Sequence, residues 1–170
     1  MLYEMRVRGL TLDPLTNMPI IMLKDKDGTR ALPIWVGIFE ANAIALELEQ
    51  IDTPRPMTHD LMKNIIHELK GTVNRIVVNE LRNNTYYAYI DITSNGNRLT
   101  IDSRPSDAIA LALRFGAPIF VAEEVVEQSR AVEMPEPAEP PTDSGDDESE
   151  KQLKDWLKKL KPEDFGKYQM

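Results

Sequence analysis

The stretch Asp102-Ser103-Arg104-Pro105-Ser106-Asp107, followed directly by Ala108-Ile109-Ala110-Leu111-Ala112-Leu113, decides how this chain folds. Its first half carries two carboxylates, two hydroxyls and a guanidinium. Its second half is entirely Ala, Ile and Leu, which favours a buried helix. Because proline suits a helix start and glycine a helix end, we predict a helix from about Pro105 to Phe115, stopped by Gly116. Polar groups at the start of a buried helix indicate either a functional site or a strongly capped helix end.

Periodic patterns on both sides of this helix predict an α+β fold. Strands are expected at 4–12, 19–23, 30–36, 73–81, 85–93, 98–102 and 118–121, and helices at 37–50, 58–70, 105–115 and 123–129. Gly28-Thr29-Arg30 precedes Ala43-Ile44-Ala45-Leu46, much as Gly96-Asn97-Arg98 precedes Ala108-Ile109-Ala110-Leu111. We therefore predict two βββα-like units around a mixed or antiparallel sheet, with an extra helix between them. The alternative is that any buried helix that follows a hairpin has a similar sequence, so that the similarity does not indicate a repeated unit.

The composition predicts three segments. Residues 1–126 hold the periodic apolar patterns and are expected to form the α+β domain. Residues 127–150 are expected to form an acidic, Pro-rich disordered linker, since positions 131–150 carry eight acidic residues. Residues 151–170 predict a short amphipathic helix, with Leu153, Trp156, Leu157 and Leu160 on one face.

Charge and residue usage exclude several functions. The net charge of -8 rules out binding of nucleic acid by bulk positive charge, so such binding would need a local groove lined by arginine. The absence of cysteine excludes disulfides, thiolate metal sites and cysteine nucleophiles. No apolar run is long enough to span a membrane, and the N-terminus does not have the pattern of a signal peptide. These features predict a cytoplasmic protein.

Three carboxylates are candidate metal ligands or acid-base groups. Asp102 and Asp107 flank the start of the last long helix, where they could bind one divalent cation together. Glu40 lies in the first turn of the helix at 37–50 and could be a metal ligand or a general base. The helix dipole favours a carboxylate in a first turn in any protein, so Glu40 and Asp107 could equally be structural. Asp102 could likewise cap the turn.

Basic side chains near these carboxylates suggest phosphate binding. Arg104 can offer two parallel donors to a phosphate, or it can pair with Asp102 or Asp107. Arg55, His59 and Asp60 lie at the start of the helix at 58–70, which Thr58 could cap. His59 can do acid-base work, although a surface histidine beside an outward-pointing Asp60 is the more frequent outcome.

Three segments resemble the bifunctional nuclease family, whose members are ascribed both DNase and RNase activity. The segments are Leu32-Pro33-Ile34-Trp35-Val36-Gly37-Ile38-Phe39-Glu40-Ala41, Arg55-Pro56-Met57-Thr58-His59-Asp60-Leu61 and Ile101-Asp102-Ser103-Arg104-Pro105-Ser106-Asp107-Ala108-Ile109-Ala110-Leu111-Ala112. The resemblance covers residues 1 to about 125. It implies an α+β fold and a homodimer with a groove suited to DNA or RNA. The candidate site residues that the resemblance implies are six polar positions within the matching motifs: Glu40, Arg55, His59, Asp102, Arg104 and Asp107.

Three hypotheses follow for the function. In the first, the protein hydrolyses phosphodiesters: a Mg²⁺ or Mn²⁺ ion on Asp102, Asp107 or Glu40 activates water, Arg55 and Arg104 hold the phosphate, and His59 protonates the leaving oxygen. In the second, it is a non-catalytic dimeric module that binds protein or nucleic acid. In the third, it is an enzyme that uses the same polar pocket for a small molecule.

Overall fold

The computed structural model describes residues 1–131, which form a seven-stranded sheet with four helices. The strands are β1 (Leu2–Leu12), β2 (Pro19–Asp25), β3 (Ala31–Trp35), β4 (Gly71–Arg82), β5 (Thr85–Ser94), β6 (Asn97–Ser103) and β7 (Ile119–Ala122). The helices are α1 (Ile38–Leu48), α2 (Thr58–Glu68), α3 (Pro105–Phe115) and α4 (Glu123–Ala131). The predicted α+β class is confirmed.

The sheet is mixed, and its strands lie in the order β3-β2-β1-β7-β4-β5-β6. Only β4 and β7 pair in parallel among these seven strands, and the other neighbours are antiparallel. One half of the sheet is β1-β2-β3, followed by α1, and the other half is β4-β5-β6, followed by α3. The predicted pair of βββα-like units is therefore confirmed, with α2 between them in the chain and β7 between them in the sheet.

A single cluster of buried side chains joins the sheet to the helices. It includes Ile21, Leu23 and Leu32 from the first unit and Ile76, Val78 and Ile90 from the second. α1 contributes Ala41 and Ile44, α3 contributes Ala108 to Ala112, and α4 contributes Val125 and Val126. Small alanines on α1 and α3 allow the two helices to pack closely. This contact brings the N-terminal turns of both helices to the same part of the molecule.

The boundaries of α3 follow from its sequence. Pro105 occupies the first helical position, where its missing N–H needs no partner. Gly116 ends the helix in the left-handed conformation, with φ of 63°, and the Ala117 N–H donates to the Ala112 carbonyl. The five polar residues of this stretch are therefore divided between the end of β6 (Asp102 and Ser103), the N-cap of α3 (Arg104) and its first turn (Ser106 and Asp107).

The start of α2 differs from the expected cap. Met57 is the N-cap and Thr58 is the first helical residue. The Met57 N–H donates to Asp60 Oδ2 over 2.9 Å, so the carboxylate of the third helical residue caps the N-terminus of α2. The Thr58 cap prediction is wrong because Asp60 supplies the acceptor.

The described residues end at Ala131, the last residue of α4, five positions past the expected domain end at residue 126. The rest of the predicted linker and the predicted tail helix lie outside the described residues. None of the four helices in the described part is long and apolar enough to cross a membrane.

Candidate active site between three helices

A cavity of about 330 Å³ opens where α1, α2 and α3 meet. Its lining includes four of the six predicted site residues. The lining residues are Phe39, Glu40, Asn42, Ala43, Met57, Thr58, His59, Arg104 and Asp107. Side chains from three separate segments of the chain therefore share one hollow that solvent can reach.

A hydrogen bond between His59 and Asp107 joins α2 to α3 in this cavity. The His59 Nε2 atom lies 3.1 Å from Asp107 Oδ1. Since an ionised carboxylate can only accept, Nε2 carries the proton and donates it to Asp107. The other ring nitrogen, Nδ1, has no hydrogen-bond partner among the described residues. It is the atom of the imidazole that can exchange a proton with a bound molecule.

Arg104 lies between two carboxylates. Its Nε donates to Asp107 Oδ2 over 2.6 Å, and its Nη1 lies 2.8 Å from Glu40 Oε1. The Arg104 side chain is still 65% exposed, whereas Glu40 is 17% exposed. The guanidinium therefore links α1 to α3 while its remaining N–H groups face solvent.

The electrostatics of the site keep Asp107 ionised. Partial burial raises the pKa of this carboxyl, but hydrogen bonds from Arg104 and His59 outweigh the burial and the pKa is lowered from its ordinary value. The same contact with Asp107 raises the pKa of Arg104. Asp107 is thus a fixed acceptor for both basic groups.

The backbone at the start of α1 determines where the Glu40 carboxylate lies. A Cβ added at Gly37 would collide with Glu40 Oε2, so the side chain folds back over the residue that precedes the helix. Glycine at this position therefore leaves room for the carboxylate. Oε1 faces Arg104, and Oε2 has no hydrogen-bond partner among the described residues.

Arg114 joins the three helices, and one of its acceptors, Ala43, lines the cavity. It is only 7% exposed, and its Nε donates to Asp60 Oδ1 on α2 over 2.6 Å. Its Nη1 and Nη2 both donate to the Ala43 carbonyl on α1 over 3.2 Å, and Nη1 also donates to Ala110 within α3. Partial burial raises the pKa of Asp60, but the bonds from Arg114 and Met57 outweigh it, and the net pKa is lowered.

Two expectations for the start of α2 are therefore wrong. His59 is buried, with 7% exposure, rather than a surface residue, because it faces Asp107 on α3. Asp60 does not point outward but pairs with the buried Arg114. Sequence spacing within α2 could not show either contact, because both partners lie on another helix.

The structure does not bring Arg55 or Asp102 to the cavity lining. Arg55 is exposed in the segment before α2, where its carbonyl accepts a hydrogen bond from Thr53. Asp102 is exposed on β6, opposite Tyr89 on β5, and its carboxylate makes no hydrogen bond or ion pair with another described residue.

The arrangement of the carboxylates bears on the predicted metal ion. Both oxygens of Asp107 are occupied, one by His59 and one by Arg104, and Asp102 lies outside the cavity lining. Among residues 1–131, no group of three or more Asp, Glu or His side chains is arranged to hold a metal ion. Each oxygen of Asp107 thus has a hydrogen-bond donor in this structure, and the metal ion on Asp102 and Asp107 stays a prediction.

Sequence patterns missed Asn42, which lines the same cavity. This residue of α1 is 3% exposed, and its Nδ2 atom has no hydrogen-bond partner among the described residues. The signal available in the sequence was a lone amide in a helix that is apolar on most sides. Buried amides without partners are rare in proteins.

The fold and the cavity define an α+β domain whose polar site combines a histidine–aspartate pair with an arginine held between two acids. The sequence model of one protein family, described as the bifunctional nuclease domain, matches residues 21–134 of this chain. The chain belongs to this family, as the three motifs predicted.

Relatives of two kinds share this domain. An uncharacterized protein of Mycobacterium tuberculosis strain H37Rv, Rv1829, is 36% identical over 162 residues, which is 95% of this chain and 97% of that protein. Bifunctional nuclease 1 of Arabidopsis thaliana is 30% identical over 107 residues, covering 61% of this chain and 33% of the plant protein. Bifunctional nuclease 1 of Oryza sativa subsp. japonica is 30% identical over 105 residues, covering 59% and 32%. The chain thus spans nearly the whole mycobacterial relative and aligns with about a third of each plant enzyme.

Proposed function

We propose that this protein hydrolyses phosphodiester bonds of DNA and RNA in the cavity between α1, α2 and α3. The observation that carries the proposal is the 3.1 Å hydrogen bond between His59 and Asp107 beside Arg104. His59 and the partly exposed Arg104 both line this hollow, so an imidazole and a guanidinium lie at one site. Family membership and the names of the plant relatives support a nuclease rather than another hydrolase.

The proposed step needs a general base, a general acid and a positively charged side chain. A water oxygen attacks the phosphorus and transfers a proton to Glu40 Oε2, while the bond from phosphorus to the leaving sugar oxygen breaks. His59, as imidazolium, gives its Nδ1 proton to that leaving oxygen. Arg104 stabilises the negative charge that develops on the phosphoryl oxygens. Solvent then returns a proton to His59 and removes one from Glu40.

Asp107 acts as a positioning residue for two of these groups. It accepts from His59 Nε2 and so fixes the tautomer that leaves Nδ1 available. It also accepts from Arg104 Nε, which holds the guanidinium at the cavity wall. Arg55 is proposed to contact a neighbouring phosphate from the exposed segment before α2.

The proposed metal ion is a separate matter for experiment. A Mg²⁺ or Mn²⁺ ion shared by Asp102 and Asp107 stays a prediction, and the step above does not depend on it. Cleavage is therefore to be measured with each ion and with a chelator. The predicted homodimer and the predicted cytoplasmic location also stay predictions.

An exposed apolar surface favours a second candidate, a dimeric module that binds protein or nucleic acid without cleaving it. On α2, Leu61 and Ile65 are 53% and 49% exposed, and Leu69, which follows the last residue of the helix, is 65% exposed. On the edge strand β6, Leu99 and Ile101 are 49% and 45% exposed. Side chains of this kind often mark interaction sites when they form a continuous patch.

The test compares three proteins purified in the same way. Wild type, His59→Gln and the control His67→Gln are assayed on labelled single-stranded RNA and DNA. His67 is exposed on the same helix, so this control retains the composition of α2 without affecting the cavity. We expect His59→Gln to lose about 100-fold or more in rate and His67→Gln to match wild type. Equal rates for all three proteins would indicate a contaminating nuclease and refute the proposal.

A further inference from the structure

We infer that residues 151–161 of this chain dock on their own domain, in a second groove between the end of α1 and α2, and that Trp156 is the side chain that enters it. This groove shares no lining residue with the cavity of the proposed chemistry, so the docking is independent of the proposed function.

The groove combines apolar and acidic side chains. It has a volume of about 210 Å³, which is room for one large side chain but not for a helix. Three apolar and three acidic residues contribute to its lining: Leu46, Ile51, Pro56, Glu47, Asp52 and Asp60. An occupant of this groove therefore needs an apolar side chain flanked by positive charge.

The charges of the groove are only partly balanced. Asp60 pairs with Arg114, whose Nε lies 2.6 Å from Asp60 Oδ1. The carboxylates of Glu47 and Asp52 form no hydrogen bond or ion pair with another described residue. Two carboxylates are thus left without a partner, and their charge complements a segment rich in lysine.

An exposed apolar surface continues from the groove onto α2. Ile51, in the lining, is 44% exposed. Leu61 and Ile65 are 53% and 49% exposed, and they neighbour the lining residue Asn64 on the surface of α2. Large apolar side chains that are exposed together mark interaction sites. A docked segment can therefore cover apolar surface beyond the groove itself.

The sequence of residues 151–161 has the matching chemistry. It reads Lys151-Gln152-Leu153-Lys154-Asp155-Trp156-Leu157-Lys158-Lys159-Leu160-Lys161, with five lysines and one aspartate. These residues lie outside the described part of the chain, and the sequence predicts an amphipathic helix with Trp156 on its apolar face. So short a helix is marginal alone in water, so it needs a surface against which to pack.

The length of chain before this segment permits the docking. The described residues end at Ala131, and 19 residues, 132–150, connect it to Lys151. Fully extended, these residues span up to about 65 Å. A domain of the described size has a radius of gyration of about 14 Å. The segment can therefore reach the groove from Ala131 without help from a second molecule.

The experiment follows the fluorescence of Trp156 in the full chain. The chain has two tryptophans, so Trp35→Phe leaves Trp156 as the sole emitter. Docking should lower the acrylamide quenching constant of Trp156 about threefold relative to the chain unfolded in urea, because the indole is covered. Glu47→Lys combined with Asp52→Lys should raise the constant to the unfolded value.

Two further double variants serve as control and as confirmation. Asp27→Lys with Glu49→Lys makes the same change in charge at exposed positions outside the groove, and should keep the docked value. Lys154→Glu with Lys159→Glu changes only the segment, so it leaves the groove intact and should raise the constant as the groove variant does.

Protein concentration separates docking within one chain from docking between chains. The quenching constant should be the same at about 1 µM and about 50 µM, because a flexible tether gives an effective concentration in the mM range. A constant that falls as the concentration rises would place a second copy in the groove and overturn the inference. Equal quenching of Trp156 in the folded and unfolded chains would also overturn it. So would a protected Trp156 that the groove variant leaves unchanged.

Discussion

The His59 Nε2 atom lies 3.1 Å from Asp107 Oδ1, although 48 positions separate the two residues in the chain. The bond connects a helix that lies between the two βββα units to the helix of the second unit. It occurs because α2 and α3 pack side by side and because Arg114 fastens both to α1. The geometry of the proposed chemistry therefore depends on how the three helices pack.

Arg114→Met is expected to destabilise the protein by about 3 kcal/mol. The change removes the donor to Asp60 and the donors to two carbonyls, and it leaves these acceptors without their partner. Chemical denaturation measures the free energy of unfolding. The matched control is Arg82→Met, which breaks an exposed pair with Glu80 and should cost less than about 1 kcal/mol. Equal losses in the two variants would show that Arg114 does not fasten the helices.

Gly37→Ala is expected to lower cleavage with little loss of stability. The added Cβ would occupy the place of Glu40 Oε2, so the carboxylate must turn away from the cavity wall, while φ of -70° suits alanine. Rates are to be compared with Glu40→Gln and with the double variant. Because both changes act on one carboxylate, the double variant should be no slower than the slower single variant. If the rate losses of the two single variants multiply in the double variant, Gly37 does not act through Glu40.

Acid should destabilise the hairpin between β2 and β3 through Asp25. The backbone N–H of Arg30 is the main cause that lowers the pKa of Asp25 to about 2, and burial opposes it while Thr29 and the Arg30 side chain assist. Since the folded pKa lies below the ordinary value of 3.8, the stabilisation is complete above that pH and is lost as the pH falls toward 2.

The corresponding measurement is the free energy of unfolding of wild type and Asp25→Asn between pH 7 and pH 2. Asp25→Asn should be less stable at pH 7 and should lose less stability than wild type between pH 4 and pH 2. Asp27→Asn, in the exposed turn of the same hairpin, is the control and should follow wild type. Parallel curves for Asp25→Asn and wild type would refute this account.

The sequence predicted the helices and strands well where neighbouring residues determine their positions and ends. Pro105 and Gly116 set the ends of α3, and alternating patterns located the seven strands to within a few residues. The repeated Ala-Ile-Ala-Leu segments indicated the two βββα units.

The site could be predicted only in part. Glu40, His59, Arg104 and Asp107 were nominated by residue type and do share a cavity. The burial of His59 and the role of Arg114 depend on contacts between helices that no spacing within one helix can show. Asp102 was grouped with Asp107 because they are close in sequence, yet β6 and α3 place only Asp107 at the cavity.

The most direct test of the account is the cleavage rate of Asp107→Asn against that of Asp102→Asn on one single-stranded substrate, measured across pH. The account predicts a loss of about 100-fold or more, with an altered pH profile, for Asp107→Asn, because the tautomer of His59 and the position of Arg104 are lost together. It predicts a rate within about twofold of wild type for Asp102→Asn, since Asp102 does not line the cavity. Equal losses in the two variants, or full activity in Asp107→Asn, would contradict it.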